Sequence, residues 1–190
     1  MTGVYQIYPK RKKSFFRNFG VNTSLIFINF LCLIIFSILI NYFGHDYIAI
    51  KPSNILQGKY LWTFLTSMFM HGGFFHIFAN MLSLFFIGGL IEKILGKKRY
   101  LYFYLTSGLL AGLFFVLSSL IFKSNFESYA VGASGALFGL IGLMMFLTPN
   151  LKVYIMFIPI PMDLWKALVL YIIFLKIYRK RRLKNFWEVN

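Results

Sequence analysis

The sequence is poor in charged residues, and above all in acidic ones, with five Asp or Glu against 20 Lys or Arg and a net charge of +15. Charged residues make up 13% of the chain, where a soluble domain has about 25%. Hydrophobic residues reach 59%, and mean hydropathy is +0.71. This composition excludes an ordinary water-soluble globule, and its 24 Phe, 12 Tyr and 3 Trp exclude a disordered chain. We expect an integral, multi-pass membrane protein.

Cysteine and histidine are also scarce. Cys32 is the one cysteine, so the chain can form no internal disulfide, and its apolar surroundings predict a buried small hydrophobe. The three histidines are His45, His71 and His76. His71 and His76 have no third ligand nearby and would make a poor zinc site. We therefore expect no metal and no organic cofactor.

The basic residues fall into clusters at the ends of apolar runs rather than into one stripe. The clusters are Lys10 to Lys13 with Arg17, Lys93 with Lys97 to Arg99, and Lys176 with Arg179 to Arg182 and Lys184. This pattern is typical of membrane proteins, so we expect no nucleic-acid partner. If the N-terminus is cytoplasmic, the segments next to the first four spans carry ten basic residues on the cytoplasmic side and three on the outer side. The count predicts a cytoplasmic N-terminus in a bacterial plasma membrane.

Long apolar runs predict five spans in an all-α membrane protein. They are Leu25 to Phe43, His76 to Leu95, Tyr100 to Phe122, Val131 to Leu147, and Val153 to Tyr178. Pro159 and Pro161 break the last run, so its helical part is predicted to be Met162 to Tyr178. The first run is read as an uncleaved anchor rather than a signal peptide, because bulky residues follow it. Gly44 to Phe75 is too polar to span and too apolar for a free loop, which predicts an interfacial first loop. The predicted organisation is a basic cytoplasmic arm (1–23), a transmembrane domain (24–178) and a basic tail (179–190).

Polar residues inside spans are costly and often functional. His76 and Asn80 are at i and i+4, which places both side chains on one face of the second span. Gly132-Ala133-Ser134-Gly135 places a hydroxyl near the outer end of the fourth span. Singly, these residues are more simply explained as contacts between helices, with glycines such as Gly135 allowing close approach.

Together, the motifs resemble the rhomboid family of intramembrane serine proteases, over roughly Tyr60 to Pro161. The resemblance rests on Trp62 to Thr66, Phe69 to Met81, Glu92 to Gly96, and Gly132 to Gly135 with Phe138. One departure is Thr63, where the family often has arginine. The resemblance implies a rhomboid-like helical bundle with a water-filled cavity that opens outward, and a serine endopeptidase that cleaves transmembrane substrates within the lipid bilayer.

The resemblance also assigns roles to individual residues. Ser134 would be the nucleophile, while His76, Asn80 and the backbone N–H of Ser134 would donate hydrogen bonds to the oxyanion. Phe138 matches a position that packs against the catalytic histidine, and Gly132 and Gly135 match positions of substrate binding or packing. The partner would be the transmembrane helix of a protein substrate or client.

The base that should activate Ser134 is not found. The family takes it from a sixth span, in an Ala-His-x-x-Gly setting, and no histidine follows Ser134 in this sequence. His71 is one alternative base, and Lys166 or Lys176 would require an unusual Ser-Lys pair. The second candidate function is therefore a catalytically inactive rhomboid-like protein that binds transmembrane helices.

Two further features agree with this absence. Five spans would place Arg179 to Arg182 on the outer face, against the expected charge distribution. The glycines of the fourth span need a partner with small residues, which the bulky run Leu168 to Leu175 does not supply. We hypothesise that a segment is missing between the fifth span and the tail, with the join near Phe174 to Ile177.

Overall fold

The computed structural model describes residues 20–148, 152–155, 158–163, 165, 166 and 169. The chain forms two compact units, which divide between Leu137 and Phe138. The predicted basic arm (1–23) lies outside the described residues except for its last four, and so do the predicted tail (179–190) and the join expected near Phe174 to Ile177. Those three expectations stay predictions.

Helices make up the first unit. In chain order they are α1 (Val21–Phe43), α2 (Pro52–Leu56), α3 (Thr63–Thr66), α4 (Phe74–Ser83), α5 (Gly89–Leu95), α6 (Lys97–Ile121) and the start of α7 (Ser134–Leu147). Short 3-10 turns occupy His45–Tyr47, Ser67–Phe69 and Lys123–Asn125, and a π-helical turn, Leu84–Gly88, joins α4 to α5. The segment predicted as an interfacial first loop therefore consists of short helices and turns between α1 and α4.

Among the described residues, three helices are long and apolar enough to cross a membrane: Val21–Phe43, Phe74–Leu95 and Lys97–Ile121, of 23, 22 and 25 residues. At about 1.5 Å per residue, each reaches the roughly 30 Å of a bilayer's hydrocarbon core. They confirm the first three predicted spans and the all-α membrane fold. Large apolar side chains on them are exposed, among them Phe27, Phe86 and Phe114. In a bilayer, lipid would cover these surfaces.

The fourth predicted span is a shorter helix than expected. α7 has 14 residues, about 21 Å, and begins at Ser134 rather than at Val131. The reason is Gly132, whose φ of 106° is incompatible with a right-handed helix.

The expectation for the start of the fifth span needs correction. Within the second unit, β1 (Lys152–Ile155) and β2 (Ile158–Asp163) form an antiparallel hairpin, so Met162 lies in a strand and not in a helix. The segment is rich in β-branched Val and Ile, and its two prolines cannot continue a helix, although a two-stranded sheet tolerates them at its edges. Trp165, Lys166 and Val169 are helical, and the rest of the predicted span lies outside the described residues.

A polar cluster ties α1 to the other two long helices. The Glu92 carboxylate accepts hydrogen bonds from the backbone N–H groups of Val21 (2.7 Å) and Asn22 (3.0 Å). The Asn22 amide donates to the Leu84 carbonyl (2.9 Å) and accepts from the Tyr100 hydroxyl (2.7 Å). Because α1 has no side-chain cap of its own, Glu92 satisfies backbone N–H groups that would otherwise lack partners. We call Asn22, Glu92 and Tyr100 the capping cluster.

Small residues of α6 let the first loop approach closely. A Cβ at Gly112 would lie 2.7 Å from Ile50 and 3.1 Å from Phe64, both first-loop side chains. A Cβ at Gly135, in the first turn of α7, would lie 2.6 Å from the side chain of Ala111. The loop and the start of α7 are thus both packed on α6, which fixes the surroundings of Ser134.

Candidate active site

The structure brings His76, Asn80 and Gly132 together. His76 is in the first turn of α4 and Asn80 is one turn further along. A Cβ at Gly132 would lie 2.7 Å from His76 Nε2 and 3.3 Å from Asn80 Nδ2. With its φ of 106°, Gly132 meets two demands that only glycine satisfies: a backbone conformation and a close approach to two polar side chains.

A backbone hydrogen bond sets the tautomer of His76. The N–H of Gly72 donates to His76 Nδ1 at 3.4 Å, so Nδ1 must carry a lone pair. In a neutral imidazole the proton then lies on Nε2, the nitrogen that faces Gly132. In that tautomer, His76 carries its N–H donor on the side of the ring that lies beside Gly132.

Asn80 presents a second donor at the same place. Its side chain is 6% exposed, and among the described residues its Nδ2 has no hydrogen-bond partner. A buried donor without a partner is destabilising by about 1 to 3 kcal/mol, so such groups call for an explanation. Two donors on one helix face that converge at a backbone turn are suited to hold a developing negative charge.

Ser134 is the first residue of α7, two residues after Gly132. It is partly buried, and with Ser67, Gly108 and Gly112 it lines a cavity of about 190 Å³ against α6. As the first residue of a helix, its backbone N–H has no intrahelical partner and can donate elsewhere. Gly135 packs on α6, and its assignment as a substrate-binding or packing position stays a prediction. Phe138 is 52% exposed and belongs to the second unit, so its contact with the histidine stays a prediction.

The backbone before Ser134 is tied to the first loop. Gly132 N–H donates to the Ser67 carbonyl at 2.8 Å. Ile50 and Ala130 exchange two backbone hydrogen bonds, of 3.2 and 2.9 Å, as in an antiparallel bridge. These bonds hold the turn at Gly132 in place without any contribution from side chains.

Side chains reinforce the same attachment. Lys51 and Glu127 form an ion pair of 2.8 Å, and the Tyr129 hydroxyl donates to Asp46 at 2.5 Å. The Tyr129 hydrogen bond lowers the pKa of Asp46, and the Lys51 ammonium lowers the pKa of Glu127. No motif in the sequence pointed to these residues.

His71 lies beside His76, with ring centroids 5.2 Å apart in an edge-to-face arrangement. Its Nδ1 is 3.3 Å from the Phe69 carbonyl, which can only accept, so this nitrogen carries the proton. Nε2 is then a lone-pair acceptor, and it is buried with no partner in the part of the chain that the structure describes. Burial, together with the neighbouring His76, lowers the pKa of His71 to about 4. His71 is therefore neutral near pH 7.

The third histidine, and the two lysines considered as bases, differ in what the structure shows of them. His45 packs against Tyr129, with ring centroids 5.8 Å apart. Lys166 forms an ion pair of 2.8 Å with Asp163 in the second unit, and Lys176 lies outside the described residues. Within residues 20–148 and the described parts of 152–169, no group of three His, Cys, Asp or Glu side chains could hold a metal ion.

The fold and site define a helical membrane protein with two hydrogen-bond donors beside the turn that precedes a serine. Comparison with known families gives the same class, because the sequence pattern of the Rhomboid domain matches residues 58–186, more than half of the chain. The chain belongs to the rhomboid family.

Curated relatives agree with this membership. RHOMBOID-like protein 1 of Arabidopsis thaliana is 42% identical over 97 residues, which cover 51% of this chain and 23% of the relative. The Putative rhomboid protease YdcA of Bacillus subtilis is 34% identical over 86 residues, 45% of this chain and 41% of the relative. The Inactive RHOMBOID-like protein 8 of Arabidopsis thaliana is 41% identical over 91 residues, 48% of this chain and 24% of the relative. The chain thus spans less than half the length of these relatives.

Proposed function

We propose that the chain is a rhomboid-type intramembrane serine endopeptidase that cleaves the transmembrane helix of a protein substrate, with Ser134 as nucleophile. The observation that carries this proposal is the convergence of the His76 and Asn80 donors on Gly132, two residues before Ser134. The name of one relative, the Putative rhomboid protease YdcA, supports the same activity.

In the proposed reaction, the Ser134 hydroxyl adds to a peptide carbonyl, and negative charge develops on the carbonyl oxygen. His76 Nε2–H, Asn80 Nδ2 and the backbone N–H of Ser134 would hold that oxygen, each worth about 10² to 10³ in rate. The intermediate then expels the amine and leaves an acyl group on Ser134, which water removes. Gly132 must stay without a side chain, because a Cβ would occupy the space beside both donors.

The proton of Ser134 needs an acceptor. Among the three histidines, His71 is the candidate whose buried lone pair has no partner in the described residues, and its lowered pKa keeps it neutral near pH 7. We treat His71 as the rival explanation for activity in a chain without a histidine after Ser134. Replacement of His71 by alanine tests it, because undiminished cleavage would exclude His71 as the base.

A second candidate function is a non-cleaving protein that holds transmembrane helices. Two observations favour it: no histidine follows Ser134 in the sequence, and one relative carries the name Inactive RHOMBOID-like protein 8. Such a protein could keep the polar cluster of His76 and Asn80 as a contact for a bound helix.

One experiment separates the two functions. The chain and its Ser134→Ala variant are treated with a fluorophosphonate probe, and cleavage of a fluorescent transmembrane reporter is followed in parallel. Labelling and cleavage that both need Ser134 support the protease. No labelling, with crosslinkers on α4 capturing uncleaved helices, supports the binding function. Absence of labelling, cleavage and captured helices contradicts both.

We also propose that the N-terminus is cytoplasmic and that the protein resides in a bacterial plasma membrane. The excess of basic residues near one set of span ends supports this orientation. A cysteine at residue 20 in a Cys32→Ser background should resist a membrane-impermeant maleimide in intact cells. Reaction in intact cells would show that the N-terminus lies outside the cell and would contradict the proposed orientation.

A further inference from the structure

Residues 45–50, which we call the strut, contact both sides of the candidate active site. The strut follows α1 and begins with the 3-10 turn His45–Tyr47. Its last three residues, Ile48, Ala49 and Ile50, are buried, with side chains only 1 to 4% exposed. Because buried segments are closely packed, a displacement of the strut would be transmitted to the elements that touch it.

The strut is attached to the segment that leads into α4. Ile48 and Ala49 form a buried cluster with Met70, and Val131 packs against the same cluster. Met70 lies four residues before the start of α4, the helix that carries both hydrogen-bond donors. One apolar cluster therefore contacts the approach to the donors and the approach to the serine.

Hydrogen bonds from the rest of the first loop keep the strut in place. Trp62 Nε1 donates to the Tyr47 carbonyl at 2.9 Å, and Thr66 Oγ1 donates to the Ile48 carbonyl at 2.8 Å. Both bonds end on the backbone of the strut, so they restrain its path directly. The strut is thus a fixed support for whatever binds to it.

The segment before α7, residues 126–133, which we call the linker, depends on weaker backbone contacts. Ala130 of the linker and Ile50 of the strut form an isolated bridge of one residue pair. Two-stranded pairing is marginal in water without further contacts, even in a full hairpin. Two residues later, Gly132 adopts a φ of 106°, and glycine gives the backbone more freedom than any other residue. A side-chain link close to Ala130 would therefore restrict the turn before Ser134.

Tyr129, the neighbour of Ala130, supplies such a link. Its hydroxyl donates to the Asp46 carboxylate of the strut at 2.5 Å. Its ring centroid lies 5.8 Å from that of His45 and 5.6 Å from Lys51 Nζ. A hydrogen bond to a charged acceptor is stronger than one between neutral groups, so the hydroxyl is the main polar attachment of this side chain.

We propose that Tyr129 is a positioning residue, whose hydrogen bond to Asp46 holds the linker on the strut and so keeps Gly132 and Ser134 in register with the donors of α4. This inference rests on the protease function proposed above. Tyr129 acts through the backbone of the linker and not on the reacting atoms. Because a misplacement of about 1 Å can cost about 10²-fold in rate, a loosened linker slows the reaction of Ser134.

Hydrogen exchange tests the attachment without requiring enzymatic activity. Tyr129→Phe, made in the full chain, removes the hydroxyl and keeps the ring. The backbone N–H groups of Ala130 and Gly132 donate to first-loop carbonyls, and their exchange should become about tenfold faster. The N–H of Ile77 in α4 is the internal reference and should exchange at the wild-type rate. Wild-type exchange rates at Ala130 and Gly132 would overturn the proposal.

The rate at which a fluorophosphonate labels Ser134 tests the consequence for the reaction. Tyr129→Phe and Asp46→Ala should each slow labelling about tenfold, and the double variant should be no slower than either, because both changes remove the same bond. Asp46→Asn should stay within about threefold of wild type, since its amide oxygen can still accept the hydroxyl proton. A loss of about a hundredfold in the double variant, or equal losses for Asp46→Asn and Asp46→Ala, would contradict the proposal.

Tyr42→Phe is the matched control, because it removes a phenolic hydroxyl from a side chain that is 79% exposed at the same end of α1. Its exchange and labelling rates should equal those of wild type, and circular dichroism should show every variant folded at the assay temperature. Absence of labelling in wild type would contradict the proposed protease, while the exchange rates would still decide whether Tyr129 holds the linker. Faster exchange in Tyr129→Phe with unchanged labelling would overturn its positioning role.

Discussion

The capping cluster and the candidate active site are both polar regions of the same three-helix core, but their hydrogen bonds differ. In the capping cluster, the Glu92 carboxylate and both ends of the Asn22 amide have partners, at 2.7 to 3.0 Å. At the active site, Asn80 Nδ2 and His71 Nε2 are buried with no partner among the described residues. Satisfied groups stabilise a fold, whereas unpaired buried groups oppose folding and remain available to a reacting molecule. The first region should therefore govern stability and the second activity.

The largest effect is expected at Gly132. Gly132→Ala places a methyl group within about 3 Å of His76 Nε2 and Asn80 Nδ2, in a backbone conformation that alanine rarely adopts. Fluorophosphonate labelling of Ser134 should fall by about 10³-fold or more, because both donors are obstructed. Gly142→Ala is the matched control, since a Cβ there meets no described residue within 4 Å, and its labelling rate should stay near that of wild type. Comparable losses in both variants would contradict the assigned role of Gly132.

Asn80 should separate activity from stability. Asn80→Ala removes a donor that has no partner in the described part of the chain, so labelling should fall by about 10² to 10³ while the free energy of unfolding should not fall. Labelling rate and thermal unfolding in detergent are measured on the same preparation. A large loss of stability would show that Asn80 is mainly a structural contact.

Asn22 should behave in the opposite way. Asn22→Ala leaves the Leu84 carbonyl and the Tyr100 hydroxyl without their partner, which should lower the free energy of unfolding by about 2 to 4 kcal/mol. The labelling rate of the protein that remains folded should be close to wild type. Glu127→Gln, which weakens an exposed ion pair, serves as the comparison and should cost less than about 1 kcal/mol. A smaller loss for Asn22→Ala than for Glu127→Gln would reverse the proposed difference between the two regions.

The last expected effect is a change of stability with pH, caused by the titration of His71. Its pKa is about 6.5 when unfolded and is lowered to about 4 in the fold, so the unfolded chain takes up a proton first as the pH falls. The contribution of neutral His71 to the free energy of unfolding is fully present above pH 6.5 and is lost as the pH falls from 6.5 to 4. The melting temperatures of wild type and His71→Gln should keep a constant difference above pH 6.5. Below pH 6.5, the melting temperature of wild type should fall more than that of His71→Gln. A constant difference over the whole range would contradict the burial of a neutral His71.

Features encoded locally were predictable from the sequence. Apolar runs of about 20 residues gave three spans, and the i, i+4 spacing put His76 and Asn80 on one helix face. The hairpin of β1 and β2 was missed because its apolar composition also suits a helix, and the prolines were used only as helix breakers. The start of α7 was misplaced because the backbone conformation of Gly132 follows from its neighbours in space.

The remaining features depend on contacts between residues far apart in sequence. Glu92 caps a helix that begins about 70 residues earlier, and Tyr100 bonds a side chain 78 positions away. The motif Glu92 to Gly96 was recognised in the sequence without this partner, since no local pattern reveals it. The proximity of His71 to His76 and the tautomer of His76 likewise need coordinates, because the glycine turn between the two histidines decides both.

The central claim is that two donors on α4 and the serine of α7 act on one oxygen atom. The most direct test is an experimental structure of the chain after reaction with a fluorophosphonate. The account predicts a covalent bond to Ser134 Oγ, with a phosphoryl oxygen about 2.7 to 3.1 Å from both His76 Nε2 and Asn80 Nδ2. An adduct whose oxygens point away from both side chains, or a chain that forms no adduct at Ser134, would contradict it.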